Sequence, residues 1–159
     1  PNASPYHLQK EALRIDVLRS HIAQTKMPLV YVNAVGGQDE LVFDGGSFAL
    51  NSKGELAMAM PQFESALGLV KVNLAGELES GSVTPTQSVE AQAYQALVLG
   101  VRDYVNKNRF PGVIIGLSGG VDSALVLAIA VDALGADKVR AVMMPSPARH
   151  RPAAGASAR

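Results

Sequence analysis

The stretch GVIIGLSGGVDSALVLAIAV (residues 112–131) decides the fold, because an apolar segment, a glycine-rich turn and a second apolar segment follow one another directly. GVIIGL is short and β-branched, which predicts a buried strand, whereas Val121 to Leu134 has the length of a helix that ends at Gly135. This helix is apolar on almost all sides, so we expect it to be buried. KVRAVMM (138–144) predicts a second strand. Strand, turn, helix and strand in this order form a βαβ unit, which requires a parallel sheet.

The turn SGGVDS (118–123) lies at the carboxyl end of the predicted strand, where parallel α/β sheets bind ligands. Glycines permit positive φ and close backbone approach, so the amides of the turn and of the helix N-terminus can surround an anion. The hydroxyls of Ser118 and Ser123 add donors. The turn has neither the lysine of a P-loop nor the spacing of GxGxxG. Two interpretations remain: a phosphate or pyrophosphate site of another type, or a tight turn alone.

The acid in this turn, Asp122, needs a separate explanation. A carboxylate beside a phosphate is repelled unless a cation lies between them, and Mg2+ binds carboxylate and phosphate oxygens together. The alternative is that Asp122 only interacts favourably with the positive end of the helix dipole.

The residues before this unit predict one helix followed by strands. Ser4-Pro5 is typical of a helix start, and Met27-Pro28 of its end. The predicted helix has an apolar face and carries its charges largely elsewhere; the apolar residues are Leu8, Ala12, Ile15, Leu18 and Ile22, and the charged ones are Lys10, Glu11, Arg14 and Arg19. LVYVNAV (29–35) predicts a buried strand, Gly36-Gly37 a turn and NSKG (51–54) a hairpin loop.

A linker and a further helix come next. GELESGSVTPTQ (76–87) has the composition of a linker, and Thr84-Pro85 predicts the start of a helix that ends near Asn108. The acids Asp39, Glu40 and Asp44 indicate a polar hairpin loop rather than a metal site, and the histidines His7, His21 and His150 lack metal-ligand spacing.

Composition limits the function classes. The chain has 159 residues, a formal net charge of zero and no cysteine. Neutrality argues against a nucleic-acid partner, and the lack of cysteine excludes disulfides, cysteine zinc sites and a thiol nucleophile within this chain. No apolar run approaches the ~18 residues of a membrane helix, and no signal-peptide pattern is visible. We therefore expect a soluble cytoplasmic protein with no membrane partner.

GLSGGVDS (116–123) resembles the pyrophosphate-binding loop SGGxDS of the ATP pyrophosphatase superfamily. NASPYH (2–7) and PLVYVNAVGGQDELVFDGGSFAL (28–50) resemble the late part of a nitrilase-like glutaminase domain. Residues 93–135 and VRAVMMPSP (139–147) are similar to the opening of a synthetase domain. A glutaminase of this type ahead of an SGGVDS loop is the order found in glutamine-dependent NAD+ synthetases.

The resemblance implies an α/β fold made of two partial domains. Residues 1–80 would be the C-terminal part of an αββα nitrilase-like domain, and residues 81–87 a linker. Residues 88–147 would form the first βαβ of a parallel-sheet domain of the adenine nucleotide alpha hydrolase type. Residues 148–159 match neither domain, and a shifted reading frame is one explanation for them. The chain is thus expected to be a fragment.

The resemblance also implies a reaction, in which ATP adenylates deamido-NAD and glutamine-derived ammonia then gives NAD+, AMP and pyrophosphate. It assigns Mg2+ to Asp122 and glutamine to Ser4 and Lys10. Ser4 is equally well explained as a helix cap, and Lys10 as a solvated charge on the helix. It assigns ATP to eight consecutive residues, which are Gly116, Leu117, Ser118, Gly119, Gly120, Val121, Asp122 and Ser123. The family's glutaminase Glu, Lys and Cys would precede Pro1, so we expect the isolated chain to be inactive.

Two alternatives stay open at this point: another amidotransferase or ligase with an SGGxDS loop, and a nucleotide-binding piece without turnover. The expected small-molecule partners are deamido-NAD, glutamine and ATP, and the family implies a homo-oligomer.

Overall fold

The computed structural model describes residues 1–144. The chain divides into two compact units, Pro1–Arg109 and Phe110–Arg159. The predictions for His150, for the tail 148–159 and for the last residues of 139–147 lie outside the described residues.

The first unit contains two helices and two small antiparallel sheets. Its elements are α1 (Lys10–Thr25), β1 (Leu29–Tyr31), β2 (Val35–Gln38), β3 (Leu41–Asp44), β4 (Phe48–Leu50), β5 (Leu56–Ala59) and α2 (Val89–Lys107). One sheet has the strand order β1-β4-β5, and β2 pairs with β3 in the other. Ile22 of α1 packs on Phe48 and Leu50 of the first sheet, and Leu99 of α2 forms a second core cluster with Phe63 and Ala96.

The predicted start of α1 at Ser4-Pro5 is wrong, because the helix begins at Lys10. The backbone of Ser4 is engaged elsewhere: its N–H donates to Asn33 Oδ1 at 2.8 Å, and its carbonyl accepts from Asn33 Nδ2 at 3.1 Å. Leu8 accordingly lies outside the helix and is exposed. The predicted end before Met27-Pro28 is confirmed, since α1 ends at Thr25.

The predicted turn at Gly36-Gly37 is also wrong, because both glycines lie within β2 and the turn falls at Asp39–Glu40. Helix α2 packs closely over this strand. A Cβ on Gly37 would lie 3.2 Å from Gly100 Cα, so the glycine serves close approach here rather than chain reversal.

The remaining predictions for this unit are mixed. LVYVNAV (29–35) is not one strand, because β1 ends at Tyr31 and β2 begins at Val35. The hairpin loop at NSKG is confirmed, since β4 and β5 pair antiparallel on either side of it. The linker 76–87 contains no helix or regular strand.

Helix α2 begins at Val89, after Ser88, whose side chain accepts from Ala91 N at 3.2 Å. The predicted start at Thr84-Pro85 is therefore wrong, whereas the end near Asn108 is confirmed. This helix packs on β2 and β3 and belongs to the first compact unit. The domain ranges 1–80, 81–87 and 88–147 stay predictions.

The second unit is the predicted βαβ. It contains β6 (Val113–Leu117), α3 (Val121–Leu134), a 3-10 turn (Ala136–Lys138) and β7 (Val139–Met143). β6 and β7 pair in parallel, with Val113 opposite Val139 and Leu117 opposite Met143. The parallel α/β arrangement and the bounds of α3 are confirmed.

The predicted burial of α3 on all sides is wrong. Only Ile129, Ala130 and Ala133 of this helix are buried, whereas Val121 is 79% exposed. The physical reason is that the described part of the second unit contains a sheet of two strands, which covers one side of the helix only.

Among the helices of residues 1–144, none is both long and apolar enough to cross a membrane.

Candidate functional site: the turn between β6 and α3

The turn that connects β6 to α3 consists of three residues, Ser118 to Gly120. Gly119 has a φ of +81°, and a Cβ at this position would meet nothing within 4 Å. The glycine is therefore required by backbone conformation and not by crowding, because side chains disfavour this left-handed region. This open space lies at the carboxyl end of a parallel strand, the usual ligand position in such sheets.

The N-terminus of α3 presents backbone donors to this space. Val121, Asp122 and Ser123 form the first helical turn, in which amides have no acceptor within the helix. Gly120 is the N-cap residue and supplies no side chain to bond them. Since the helix dipole adds positive potential at the same point, the turn can hold an anion such as a phosphate group.

Two serine hydroxyls lie at the same turn. Ser118 Oγ and Ser123 Oγ are 3.3 Å apart, and Ser123 Oγ donates to the carbonyl of Gly120 at 3.0 Å. The structure thus brings together the serines that the sequence separates by five positions. Each hydroxyl is a donor that can be offered to a phosphate oxygen bound at the turn.

Asp122 is exposed in the first turn of α3. Within residues 1–144, no group of three or more His, Cys, Asp or Glu side chains is placed to hold a metal ion. Asp122 can therefore supply one carboxylate, and this fits Mg2+, which takes its other ligands from phosphate oxygens and water.

The first two residues of the predicted ATP-binding set, Gly116 and Leu117, lie at the end of β6. A Cβ on Gly116 would come within 2.5 Å of Met144 Cε, so this glycine makes room for a neighbouring side chain. The eight predicted residues hence form one continuous strand end, turn and helix start.

The predicted glutamine residues lie in the first unit, Ser4 on the segment before α1 and Lys10 at the first position of that helix. Lys10 Nζ donates to the carbonyl of Pro5 at 3.1 Å, and Arg14 Nη2 donates to the carbonyl of Ser4 at 3.0 Å. The alternative interpretation of Ser4 as a helix cap is wrong, since α1 starts six positions later at Lys10. Lys10 is half-buried rather than fully solvated.

Sequence reasoning missed the buried ion pair between Arg14 and Asp44. The sequence places Arg14 largely off the apolar face of its helix and Asp44 in a polar loop, yet they are 8% and 2% exposed. The side chains of Asn33 and Gln62 also donate to the Asp44 carboxylate, at 3.2 and 3.3 Å. The spacing of Arg14, Leu18 and Ile22 could have revealed it, because residues four apart share one helix face.

Tyr6 lies beside this pair. Burial raises the pKa of its phenol, and the negative charge of Asp44 raises that pKa further. Its hydroxyl is buried, and no described residue bonds it. Tyr6 therefore stays neutral over the physiological pH range.

A cavity of about 350 Å³ also lies in the first unit. Its walls are mainly apolar, and they include Phe48, Met58 and Met60. Neither Ser4 nor Lys10 lines it, so this cavity is not the predicted glutamine site.

The parallel βαβ unit and its glycine turn have the geometry of a phosphate-binding α/β protein. Residues 93–157 match the family model described as NAD synthase. The chain is 48% identical over 146 residues to the glutamine-dependent NAD(+) synthetase of Acinetobacter baylyi. This alignment covers 91% of this chain and 27% of that protein. The enzyme of the same name from Thermotoga maritima is 39% identical over 178 residues, covering 91% of this chain and 31% of the relative.

Two solved structures are also similar to this chain. The glutamine-dependent NAD+ synthetase of Acinetobacter baumannii, in complex with adenosine diphosphate, matches with a TM-score of 0.86 and 48% identity over 91% of this chain and 28% of that one. The Cytophaga hutchinsonii enzyme shares the fold, with a TM-score of 0.69 at 24% identity over 87% of this chain and 23% of that one. By sequence, the chain is similar over 91% of its length to the glutamine-dependent NAD(+) synthetase of Acinetobacter baylyi, and it spans 27% of the length of that relative.

Proposed function

We propose that this chain is the part of a glutamine-dependent NAD+ synthetase that binds the diphosphate of ATP through residues 116–123. The observation that carries the proposal is the exposed turn at Gly119, with the amides of the first α3 turn beside it. The nucleotide in the Acinetobacter baumannii structure supports an adenine nucleotide as ligand. Residues 1–80 would belong to the glutaminase domain, 81–87 to a linker and 88–147 to the synthetase domain.

In this proposal, a carboxylate oxygen of the nicotinate group of deamido-NAD attacks the α-phosphorus of ATP. The bond between the α-phosphorus and the bridging oxygen breaks, and pyrophosphate leaves with the electron pair. The amides of Val121 to Ser123 would stabilise the negative charge of that leaving group, because they have no acceptor within the helix and lie at the positive end of its dipole. Ammonia from glutamine then displaces AMP and gives NAD+.

Asp122 would hold Mg2+, which supplies charge neutralisation to the phosphate oxygens when bound. Ser118 and Ser123 would orient the phosphate through their hydroxyls, which lie close together at the turn. Ser4 and Lys10 would bind glutamine in the first unit. A homo-oligomer and a cytoplasmic location are proposed on the family resemblance alone.

A second candidate is nucleotide binding without turnover by this chain. The specific observation in its favour is the absence of cysteine, which removes thiol-dependent glutamine hydrolysis from these 159 residues. A different SGGxDS ligase is disfavoured, because the relatives described above share the glutamine-dependent NAD(+) synthetase name.

The binding part of the proposal is tested by calorimetry of this chain with ATP and MgCl2. We expect binding that Asp122→Ala weakens about tenfold, which corresponds to about 1.4 kcal/mol. Asp137→Ala is the matched control, since it removes an exposed acid from the same unit, after the other end of α3. No binding by the unaltered chain, or equal affinity in Asp122→Ala and the unaltered chain, would contradict the site or the metal role respectively.

The activity is tested in a longer protein, with this segment in place of the matching residues of the Acinetobacter baylyi synthetase. We expect deamido-NAD-dependent exchange between ATP and labelled pyrophosphate. Exchange with another acceptor but not with deamido-NAD would overturn the substrate assignment.

A further inference from the structure

The segment that carries Ser4 is fixed by a buried guanidinium. Arg14 Nη1 donates to Asp44 Oδ2 at 2.9 Å, and Nη2 donates to Asp44 Oδ1 at 3.0 Å. The same Nη2 also lies 3.0 Å from the carbonyl of Ser4 and 3.3 Å from Ser4 Oγ. One side chain of α1 thus links the end of β3 to the segment before the helix.

The backbone of Ser4 is also held by Asn33. The side-chain amide of Asn33 accepts from Ser4 N and donates to Ser4 O, and it also donates to Asp44 Oδ1 at 3.2 Å. Since the main-chain groups of Ser4 are bonded on both sides, the position of its hydroxyl is set by Arg14, Asn33 and Asp44 together.

Lys10 joins this network through a shared acceptor. The carbonyl of Pro5 accepts from Lys10 Nζ at 3.1 Å and from Arg14 Nη2 at 3.3 Å. Among the described residues, no acid forms an ion pair with Lys10. Asp44 is the buried acid of this region, and its charge is taken up by Arg14.

These contacts leave donors for a ligand. Ser4 Oγ accepts from Arg14 and therefore keeps its own proton to donate. Lys10 uses one of its three N–H groups on Pro5 and keeps two, together with a positive charge that Asp44 does not neutralise. A hydroxyl donor and an ammonium on one short segment match an amide oxygen or a carboxylate, the acceptor groups of glutamine.

We propose that Arg14, oriented by Asp44, is the positioning residue of the glutamine pocket, and this rests on the proposed assignment of Ser4 and Lys10. Arg14 acts through both: it donates to the Ser4 hydroxyl oxygen, and it donates to the same Pro5 carbonyl that accepts from the Lys10 ammonium. Lysine at position 14 would keep the charge but not the planar fork that reaches Asp44 and Ser4 at once.

The test is a titration of the 15N-labelled 159-residue chain with L-glutamine, followed by NMR. We expect the Ser4 amide signal to shift on addition of glutamine in the unaltered chain. Arg14→Lys should weaken the glutamine affinity about tenfold, while the core signals of Ile22 and Leu50 stay in place. Arg19→Lys is the matched control, because Arg19 lies on the same helix and is half exposed.

Asp44→Asn is a second variant that keeps the side-chain volume and one acceptor oxygen. We expect about tenfold weaker glutamine binding, because the negative charge opposite Arg14 is lost and the amide NH2 of asparagine faces one of the two guanidinium donors. Unchanged glutamine affinity in either variant, with the core signals intact, would overturn the positioning role.

Failure of the proposed glutamine site gives a different result. No response to glutamine in the unaltered chain would remove the roles of Ser4 and Lys10, and the inference with them. The calorimetric ATP measurement on the turn at 118–123 is independent of that outcome, so the two failures can be told apart.

Discussion

Arg14 and Asp44 form a two-point ion pair although they lie 30 positions apart in the sequence. The pair joins α1 to the last residue of β3, and both side chains are almost fully buried. A buried charge without a partner is costly, so each residue depends on the other. The pair therefore links α1 to the end of the β2-β3 hairpin.

Removal of the guanidinium should destabilise the first unit strongly. Arg14→Met leaves the Asp44 carboxylate buried without its cation, so the free energy of unfolding in urea should fall by about 3–5 kcal/mol. Asp16→Ala is the control, because it removes an acid from an exposed ion pair on the same helix. It should change the free energy of unfolding by less than about 1 kcal/mol.

The double variant Arg14→Met/Asp44→Leu gives a further check. It should be more stable than Arg14→Met alone, because no unpaired buried charge remains. Strictly additive losses would mean that the two side chains do not act as a pair.

The sequence predicted the elements of the second unit, though not their exposure, because the signals for these elements are local. A β-branched run, Gly119 in a left-handed conformation and Gly135 after the helix define β6, the turn and α3 without reference to distant residues. The bounds of α3 and the parallel pairing of β6 with β7 followed directly.

The errors lie where distant contacts override local signals. Ser4 is bonded by Asn33, 29 positions away, so it does not start a helix. Gly37 donates its N–H to Asp103 Oδ2 at 2.8 Å, across 66 positions, and stays in a strand. No local pattern contains these partners, and the ion pair of Arg14 was missed for the same reason.

Gly119→Ala tests the conformation of the turn. Since the position has open space and a φ of +81°, alanine would add strain of about 1–2 kcal/mol without a clash. The turn should relieve that strain by changing conformation, so calorimetry should show ATP binding weakened or lost.

Gly135→Ala is the matched control within the same unit. Its φ is +84° and its surroundings are equally open, but it lies at the far end of α3. We expect a loss in thermal stability at least as large as that of Gly119→Ala, because a φ of 84° with a ψ of 151° is a conformation essentially restricted to glycine, and we expect unchanged ATP affinity. Equal loss of affinity in both variants would show that general destabilisation, and not the turn, controls binding.

Gly37→Ala tests the contact between α2 and β2. The added methyl would lie 3.2 Å from Gly100 Cα and from Asp103 Cβ, and backbone cannot move aside as a flexible side chain can. Overpacking of this kind costs about 1–3 kcal/mol, so the melting temperature should fall. Gly81→Ala is the control, because its nearest neighbour would be an ordinary 3.6 Å away. Similar melting temperatures in the two variants would contradict close packing at Gly37.

Tyr6→Phe tests the electrostatics around Asp44 through the pH dependence of stability. The pKa of Tyr6 is raised in the folded chain by burial and by the charge of Asp44, so the unfolded chain releases the phenol proton at lower pH. The stability that neutral Tyr6 contributes is therefore complete below the unfolded pKa of about 10 and is lost as the pH rises through the folded value.

Near neutral pH, the variant should be as stable as the unaltered chain or about 1 kcal/mol more stable, because it lacks a buried hydroxyl without a described partner. Urea unfolding from about pH 8 to pH 12 should then show a steeper loss in the unaltered chain than in Tyr6→Phe. Tyr104→Phe, at a position that is more than half exposed, should leave the steep loss in place. Parallel profiles for Tyr6→Phe and the unaltered chain would place the alkaline transition elsewhere.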